Sequence, residues 1–355
     1  FVPHRWVAAQ VVGCGANDQV LIPQAPGDQV GVVVEFTNAH RQVDALGDQI
    51  NRAFAEGHGQ VELAVPARQI DDHRGDVAAP ECCGQVDAQT ASSVAVVAER
   101  SNAYAWVEPG KAGPVQASTP RALSIDEIQR ISGDFVSAAR RAMDAGFDGI
   151  ELHGANGYLF EQFINGALNT RDDCYGGSIA NRQRFLLDTL DALAAAIGAE
   201  KVAVRISPFG RLFDMQPYGD EAETWISLAA ALSARNLAYV HLSDQLTLGA
   251  EAIPQGFASQ FRKAFRGTLM AAGGFNRTTA ETALAEGELD LIAFGRPFIA
   301  NRDLVERMRH DWPLAEGDRA TFYGVNGAVT RGYTDYPAYR ALPLKAPIDS
   351  DTTPH

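Results

Sequence analysis

Nine residues, Glu151 to Leu159 (ELHGANGYL), bring His153, Asn156 and Tyr158 within six positions of one another, directly after the run FDGI at 147–150. The three side chains have different hydrogen-bonding abilities. His153 and Asn156 can both donate toward a single carbonyl oxygen, and a doubly donated carbonyl draws electrons from a conjugated double bond. Tyr158, with a phenol pKa of about 10 when unperturbed, can deliver a proton at neutral pH without being a strong acid. An electrophile-gripping pair beside a proton donor suits reduction of an activated alkene, with hydride going to one carbon and a proton to the other. No side chain supplies hydride, so this chemistry needs a cofactor. A lone histidine on a buried strand would read as a satisfied core residue. Three polar residues at a strand exit read as a site.

The flanking sequence supplies elements able to hold such a site. Ser124, with Glu127 three residues on, forms a capping-box pattern that opens a helix over 125–145, closed near Gly146. Residues 149–153 make a short buried strand, and 181–197 make a helix with Leu186, Leu190, Leu193 and Ile197 on one face. KVAVRIS at 201–207 is rich in β-branched residues, as a strand covered on both faces should be. Helix 221–235, strand 238–243, helix 256–265, strand 268–273, helix 277–287, strand 289–294 and a helix at 301–310 follow. Strands that alternate with helices in a chain of this length predict an α/β fold, a (β/α)8 TIM barrel, with a doubly wound sheet as the alternative. These units supply strands four to eight, so strands one to three must come from earlier residues.

Chemistry in such a barrel sits at the C-terminal strand ends, and the notable residues fall there. Arg205 lies near the end of KVAVRIS, Gly273 and Gly274 end TLMAAGG, and Gly295 and Arg296 end LIAFGR. The last two strand ends are where barrels commonly bind phosphate through backbone N–H groups, and Arg296 adds a forked donor. The plainer reading makes the glycines tight turns and Arg296 a solvated rim residue.

Composition divides the chain near Ser92. The first 91 residues contain no Lys, Met, Tyr or Ser, yet hold three of the four cysteines. Two explanations compete, a divergent N-terminal region or a stretch translated in a wrong frame, and the simultaneous loss of four residue types favours the second. The apolar runs Val30–Phe36 and Val61–Val65 are nonetheless able to form strands. The division reads as an anomalous region 1–91, a barrel domain 92–345 and a tail 346–355.

The net charge of −14 disfavours a polyanion partner, since phosphate neutralisation needs a basic face. No apolar run is long enough to span a membrane, and no signal-peptide pattern is present. Cys14, Cys82, Cys83 and Cys174 show no C-x-x-C spacing and no metal pattern, as expected of unligated thiols in a reducing cytoplasm.

The segment HGANGYLFEQFINGALNTRDDCYGGSIANRQRF (153–185) resembles the signature of the old yellow enzyme family of flavin-dependent ene-reductases. STPRALSIDEI (118–128), VRISPFG (204–210), AAGGF (271–275), FGRPFIANRDL (294–304) and TFYG (321–324) reinforce it. The resemblance runs from about Ser92 to Tyr339. It implies a barrel holding non-covalent FMN, reduced by NADH or NADPH and reoxidised by an α,β-unsaturated carbonyl compound. By the same resemblance His153 and Asn156 hold the substrate oxygen and Tyr158 is the proton donor. Arg205 approaches the flavin pyrimidine edge, Gly273, Gly274, Gly295 and Arg296 form the phosphate turns, and Phe322 and Tyr323 line the substrate side. Asp172, Tyr175, Gly176, Gly177 and Arg182 are structural, fixing the long loop after the fourth strand. The family's N-R-x-x-x-A-P and Q-x-W-H-x-G-R-like segments have no counterpart in residues 1–91. The implied partner is a small molecule, with homo-oligomerisation open and neither nucleic acid nor membrane expected. Two rivals are a barrel remnant without flavin and a sugar-phosphate aldolase or isomerase. The latter lacks a Schiff-base lysine at a strand end, since Lys201 begins its strand.

Overall fold

The computed structural model describes residues 121–144, 147–212, 215–244, 253–322, 332 and 335–339, together with the backbone of six strands before residue 117. Those six are β1 Val7–Gly13, β2 Val32–Phe36, β3 Gln60–Leu63, β4 Gln89–Thr90, β5 Asn102–Glu108 and β6 Lys111–Gln116. After them come β7 Arg121–Ala122, α1 Ile125–Asp144, β8 Gly149–His153, α2 Leu159–Ile164 and α3 Ile179–Ile197. The chain continues through β9 Val202–Ile206, α4 Glu221–Ser233, β10 Val240–Ser243, α5 Phe257–Ala264, β11 Leu269–Ala272, α6 Arg277–Ala285 and β12 Leu291–Phe294. Two helices, α7 Arg296–Ala300 and α8 Leu304–His310, follow.

Eight of the strands close a parallel barrel in the order β1-β12-β11-β10-β9-β8-β3-β2. β8 to β12 are the five strands expected from the sequence; β8 has the expected bounds and the other four are one or two residues shorter at one or both ends. β1 to β3 lie in the compositionally anomalous stretch and supply the three remaining strands, through registers such as Val61↔Ile150 and Ala8↔Ala293. The barrel therefore draws on both sides of the seam and is not confined to 92–345. Its closure rests on backbone pairing, to which side-chain composition is a poor guide. β5 and β6 form a separate antiparallel pair, and β4 pairs with β7. The chain divides into two compact units, residues 1–295 and 296–355.

The barrel strands β8, β9, β10 and β12 are buried along their length, and β11 up to Ala272, as a sheet between helices and an inner core requires. Gly149 starts β8 where a Cβ would meet Lys201 O at 2.7 Å, so only glycine lets the chain enter beside β9. On the inner face Ala203, Tyr239, Met270, Leu291 and Ala293 pack as one cluster. Glu151 of β8 and His241 of β10 meet across β9, with Nδ1 lying 3.0 and 3.2 Å from the two carboxylate oxygens, both residues fully buried. Strands separated by one neighbour touch only on the concave side, which identifies this as the barrel interior. Burial disfavours the Glu151 charge, but His241 and then Arg205 outweigh it and hold the carboxyl below its ordinary value.

The expected capping box is present, with Ser124 N–H donating to Glu127 (2.8 Å) and Glu127 N–H to Ser124 Oγ (3.2 Å). Leu186, Leu190 and Leu193 of α3 are buried and Ile197 is half-buried. Gly146 and the tail 346–355 lie outside the described residues. The helix expected at 301–310 is α8, which starts later at Leu304, and a short helix α7 precedes it. Asn301, fully buried, interrupts them by donating to Pro297 O and Ala315 O and accepting from Ala315 N–H. In this second unit Arg307 donates to Asp303, Pro313 O and Pro337 O, tying α8 to the segment at 335–339.

Candidate active site

β8 ends at His153, opposite Arg205 of β9, which in turn pairs with His241 of β10. From Gly149 to Asn165 every residue is buried except Asn156 and Tyr158, which are half-buried. Two of the three polar residues of the opening motif thus sit where an otherwise sealed stretch meets its surroundings. The rings of His153 and Tyr158 pack edge to face, 4.8 Å between centroids at 65°.

Hydrogen bonds orient the two donors. Ala155 N–H donates to His153 Nδ1 at 3.2 Å, so a neutral imidazole carries its proton on Nε2. Arg205 Nη2 donates to Ser243 Oγ (3.1 Å), and Ser243 donates to Asn156 Oδ1 (3.3 Å). With Oδ1 accepting, Nδ2 is the donating end of the amide. Asn156 itself has φ +57°, and Gly157 follows at +75°. This left-handed turn swings the chain from β8 into α2, with Tyr158 in extended backbone at the N-cap. The Asn156 N–H donates to Ser207 Oγ at 2.7 Å, while the Gly157 N–H donates to Glu161.

Gly273 and Gly274 follow β11 with φ of +148° and +74°. A Cβ on Gly273 would lie 2.5 Å from Asp244 Cβ, so the turn admits no side chain. Gly295 follows the neighbouring β12, so these glycines occupy adjacent C-terminal strand ends. Such bare backbone, with the Arg205 cation toward the C-terminal end of β9 in the same barrel, fits a phosphorylated, electron-accepting cofactor. In the second unit Arg296 opens α7 and is exposed, and Phe322 follows the 3-10 turn Arg319–Thr321. Tyr323 lies outside the described residues.

The long loop after α2 is built around Arg182, which donates to Ile164 O, Gly177 O, both Asp220 oxygens (2.9 Å each) and Thr224. Asn169 donates to Phe163 O and Tyr175 O. Asp172, expected among the structural residues, is exposed. Its neighbour Asp173 takes the ion pair with Arg171, which also reaches Leu123 O. Reading the sequence missed Ser207, Ser243, Glu161, Glu151 and His241. The only sequence signal for Glu161 was an acidic residue one helical turn beyond Tyr158. Cys174 is exposed and a free thiol, and Cys14, Cys82 and Cys83 lie outside the described residues. An open groove of about 490 Å3, lined by residues including Arg140, Asp144 and Lys201, belongs to the N-terminal side of β9 and is remote from this chemistry.

Comparison with known proteins agrees with the geometry. Residues 81–315 match the family described as NADH:flavin oxidoreductase / NADH oxidase. 12-Oxophytodienoate reductase 2 of Arabidopsis thaliana is 43% identical over 221 residues, covering 62% of this chain and 58% of that protein. The chain therefore spans less than two thirds of that relative. Morphinone reductase superposes with a TM-score of 0.76 at 35% identity, covering 87% of this chain and 84% of the other, and is also known in complex with tetrahydroNAD. The old yellow enzyme homologue from Zymomonas mobilis superposes with a TM-score of 0.75 at 26% identity, covering 94% and 95%. With more than half of its length matched, the chain belongs to the NADH:flavin oxidoreductase / NADH oxidase family, that of the old yellow enzymes.

Proposed function

We propose that this chain is an FMN-dependent oxidoreductase that draws on NADH or NADPH to reduce the C=C bond of α,β-unsaturated carbonyl or related activated compounds. One observation carries the reading: Nε2 of His153 and Nδ2 of Asn156 are both set as donors, beside the Tyr158 phenol, at the half-buried edge of a buried stretch. FMN, when bound, supplies the hydride chemistry that no side chain offers. Gly273, Gly274 and Gly295 would hold it through backbone N–H groups. Arg205 would offer a fixed positive charge, favourable to a ring that gains electrons.

His153 and Asn156 grip the substrate oxygen and draw electron density from the conjugated alkene. Tyr158 Oη holds the proton delivered to the carbon that does not take the hydride. The chain between β8 and α2 excludes water from the imidazole, whose residue is 3% exposed. The proposal extends to a cytoplasmic location, supported by cysteines without paired spacing. It also extends to a small-molecule substrate, supported by the family match, while the net charge of −14 disfavours a polyanion partner. Among the described residues no helix is long and apolar enough to cross a membrane.

The test is a visible spectrum of the purified chain after incubation with FMN, followed by NADPH consumption on adding 2-cyclohexen-1-one. A protein-bound flavin band and enone-dependent consumption are expected. Bound flavin that is reduced by NADPH but never reoxidised by enone overturns the reading.

A further inference from the structure

Glu161 is a buried acid that the mechanism above does not use. It sits in α2 at 3% exposure, one turn from Tyr158, and its carboxylate accepts from Gly157 N–H and from Ser207 O–H at 2.9 and 3.0 Å. Ser207, at the end of β9 and fully buried, in turn accepts Asn156 N–H at 2.7 Å. Two consecutive N–H groups of the left-handed turn are therefore taken up by one hydroxyl–carboxylate pair drawn from two other elements. Gln162 Nε2 closes the turn from its other side by donating to Gly157 O at 2.9 Å.

We propose that Glu161 and Ser207 are positioning residues that lock the Asn156–Gly157 turn and so aim the Asn156 amide at the substrate oxygen. This rests on the proposed role of Asn156. A left-handed backbone is disfavoured for a residue with a Cβ and persists only where its surroundings over-determine it. Here the surroundings are that pair. The lock is tightest when Glu161 is ionised, because a carboxylate only accepts and so keeps the Ser207 proton pointed at itself and the Ser207 lone pairs toward Asn156. A protonated Glu161 must donate one hydrogen, and Ser207 Oγ is the acceptor in reach, which turns the serine proton away.

Burial pushes the Glu161 carboxyl up to about 7, against the Gly157 N–H and Ser207 bonds that favour ionisation. Glu221 at the start of α4 raises it further and Arg211 after β9 lowers it. Those two form a two-pronged pair with each other at 2.8 and 2.9 Å. Tyr218 also faces the site, and its phenol, pushed up by burial, stays neutral throughout.

The experiment is titration of FMN-loaded protein with 2-cyclohexen-1-one, a ligand that does not ionise, read by flavin absorbance from pH 5.5 to 8.5. The dissociation constant of the wild type should rise about tenfold as pH falls through 7, the worth of roughly one hydrogen bond. Glu161→Gln should remove that inflection. Ser207→Ala should weaken binding about tenfold at pH 8, and Ser207→Thr, which keeps the hydroxyl, should restore it. A Glu161→Gln protein that keeps the wild-type inflection overturns the proposal. Ser207→Ala binding as the wild type does overturns it as well, and remains informative if Glu161→Gln fails to fold. Failure of the wild type to bind FMN at all would instead overturn the underlying function.

Discussion

Three hydrogen bonds determine what the polar residues after β8 can do. Ala155 N–H on His153 Nδ1 and Ser243 O–H on Asn156 Oδ1 make Nε2 and Nδ2 the donating nitrogens of the two side chains, and Ser207 anchors the turn at Asn156. If His153 donates to the substrate oxygen, His153→Ala should weaken binding of a phenolic ligand tenfold or more, the loss of about 1.5 kcal/mol, measured by flavin spectral titration. Tyr158 has a narrower task. Tyr158→Phe keeps the edge-to-face contact with His153 but loses the proton, so alkene turnover should slow by roughly 10²–10⁴-fold. Reduction of the flavin by nicotinamide should be nearly unchanged in the same stopped-flow measurements. Equal loss in both half-reactions would rule out the proton-donor role.

The elements carry charge devices whose strength depends on burial. Glu151 and His241 meet between β8 and β10 at zero exposure, so His241→Leu would strip a buried carboxylate of the partner that contributes most to its ionised form. The expected cost is about 3–5 kcal/mol, read as a lower urea midpoint at pH 7. Glu127 at the start of α1 belongs to the surface. Arg121, donating through both Nη atoms at 3.0 and 2.6 Å, leads the groups that hold its carboxyl down to about 2. A depressed carboxyl pKa gives stability that is present above the ordinary value of 4.5 and lost as pH falls toward 2. Arg121 is more than half exposed, so screening limits the effect to roughly 0.5–1 kcal/mol. Glu127→Gln should flatten that part of the urea-midpoint profile between pH 5 and 3.

For the whole molecule, the barrel closes only when β1 and β2, β3 and the five later strands find one another across long sequence separations. A cofactor that binds the closed barrel and not the open chain must stabilise it. FMN at 100 times its dissociation constant should add about 2.7 kcal/mol, seen as a concentration-dependent rise in the thermal midpoint. A midpoint that ignores FMN would mean that the strand-end glycines do not hold it.

Local features were legible in the sequence. Ser124 and Glu127 lie three residues apart and cap α1 as read, and His153, Asn156 and Tyr158 share one turn because they share six positions. The β-branched run at 202–206 also declared a buried strand, since every residue of it is covered. Contacts between distant segments were not legible. Glu161 meets Ser207 from 46 residues away and His241 meets Glu151 from 90, because the parallel barrel brings their elements together. Composition marked residues 1–91 as foreign, yet β1 to β3 pair with their neighbours through backbone groups that every residue type carries. Residue identity alone determined the chemistry available and the elements able to carry it. Only tertiary pairing decided which side chain steadies which, because hydrogen bonds depend on distance in space and not on separation along the chain.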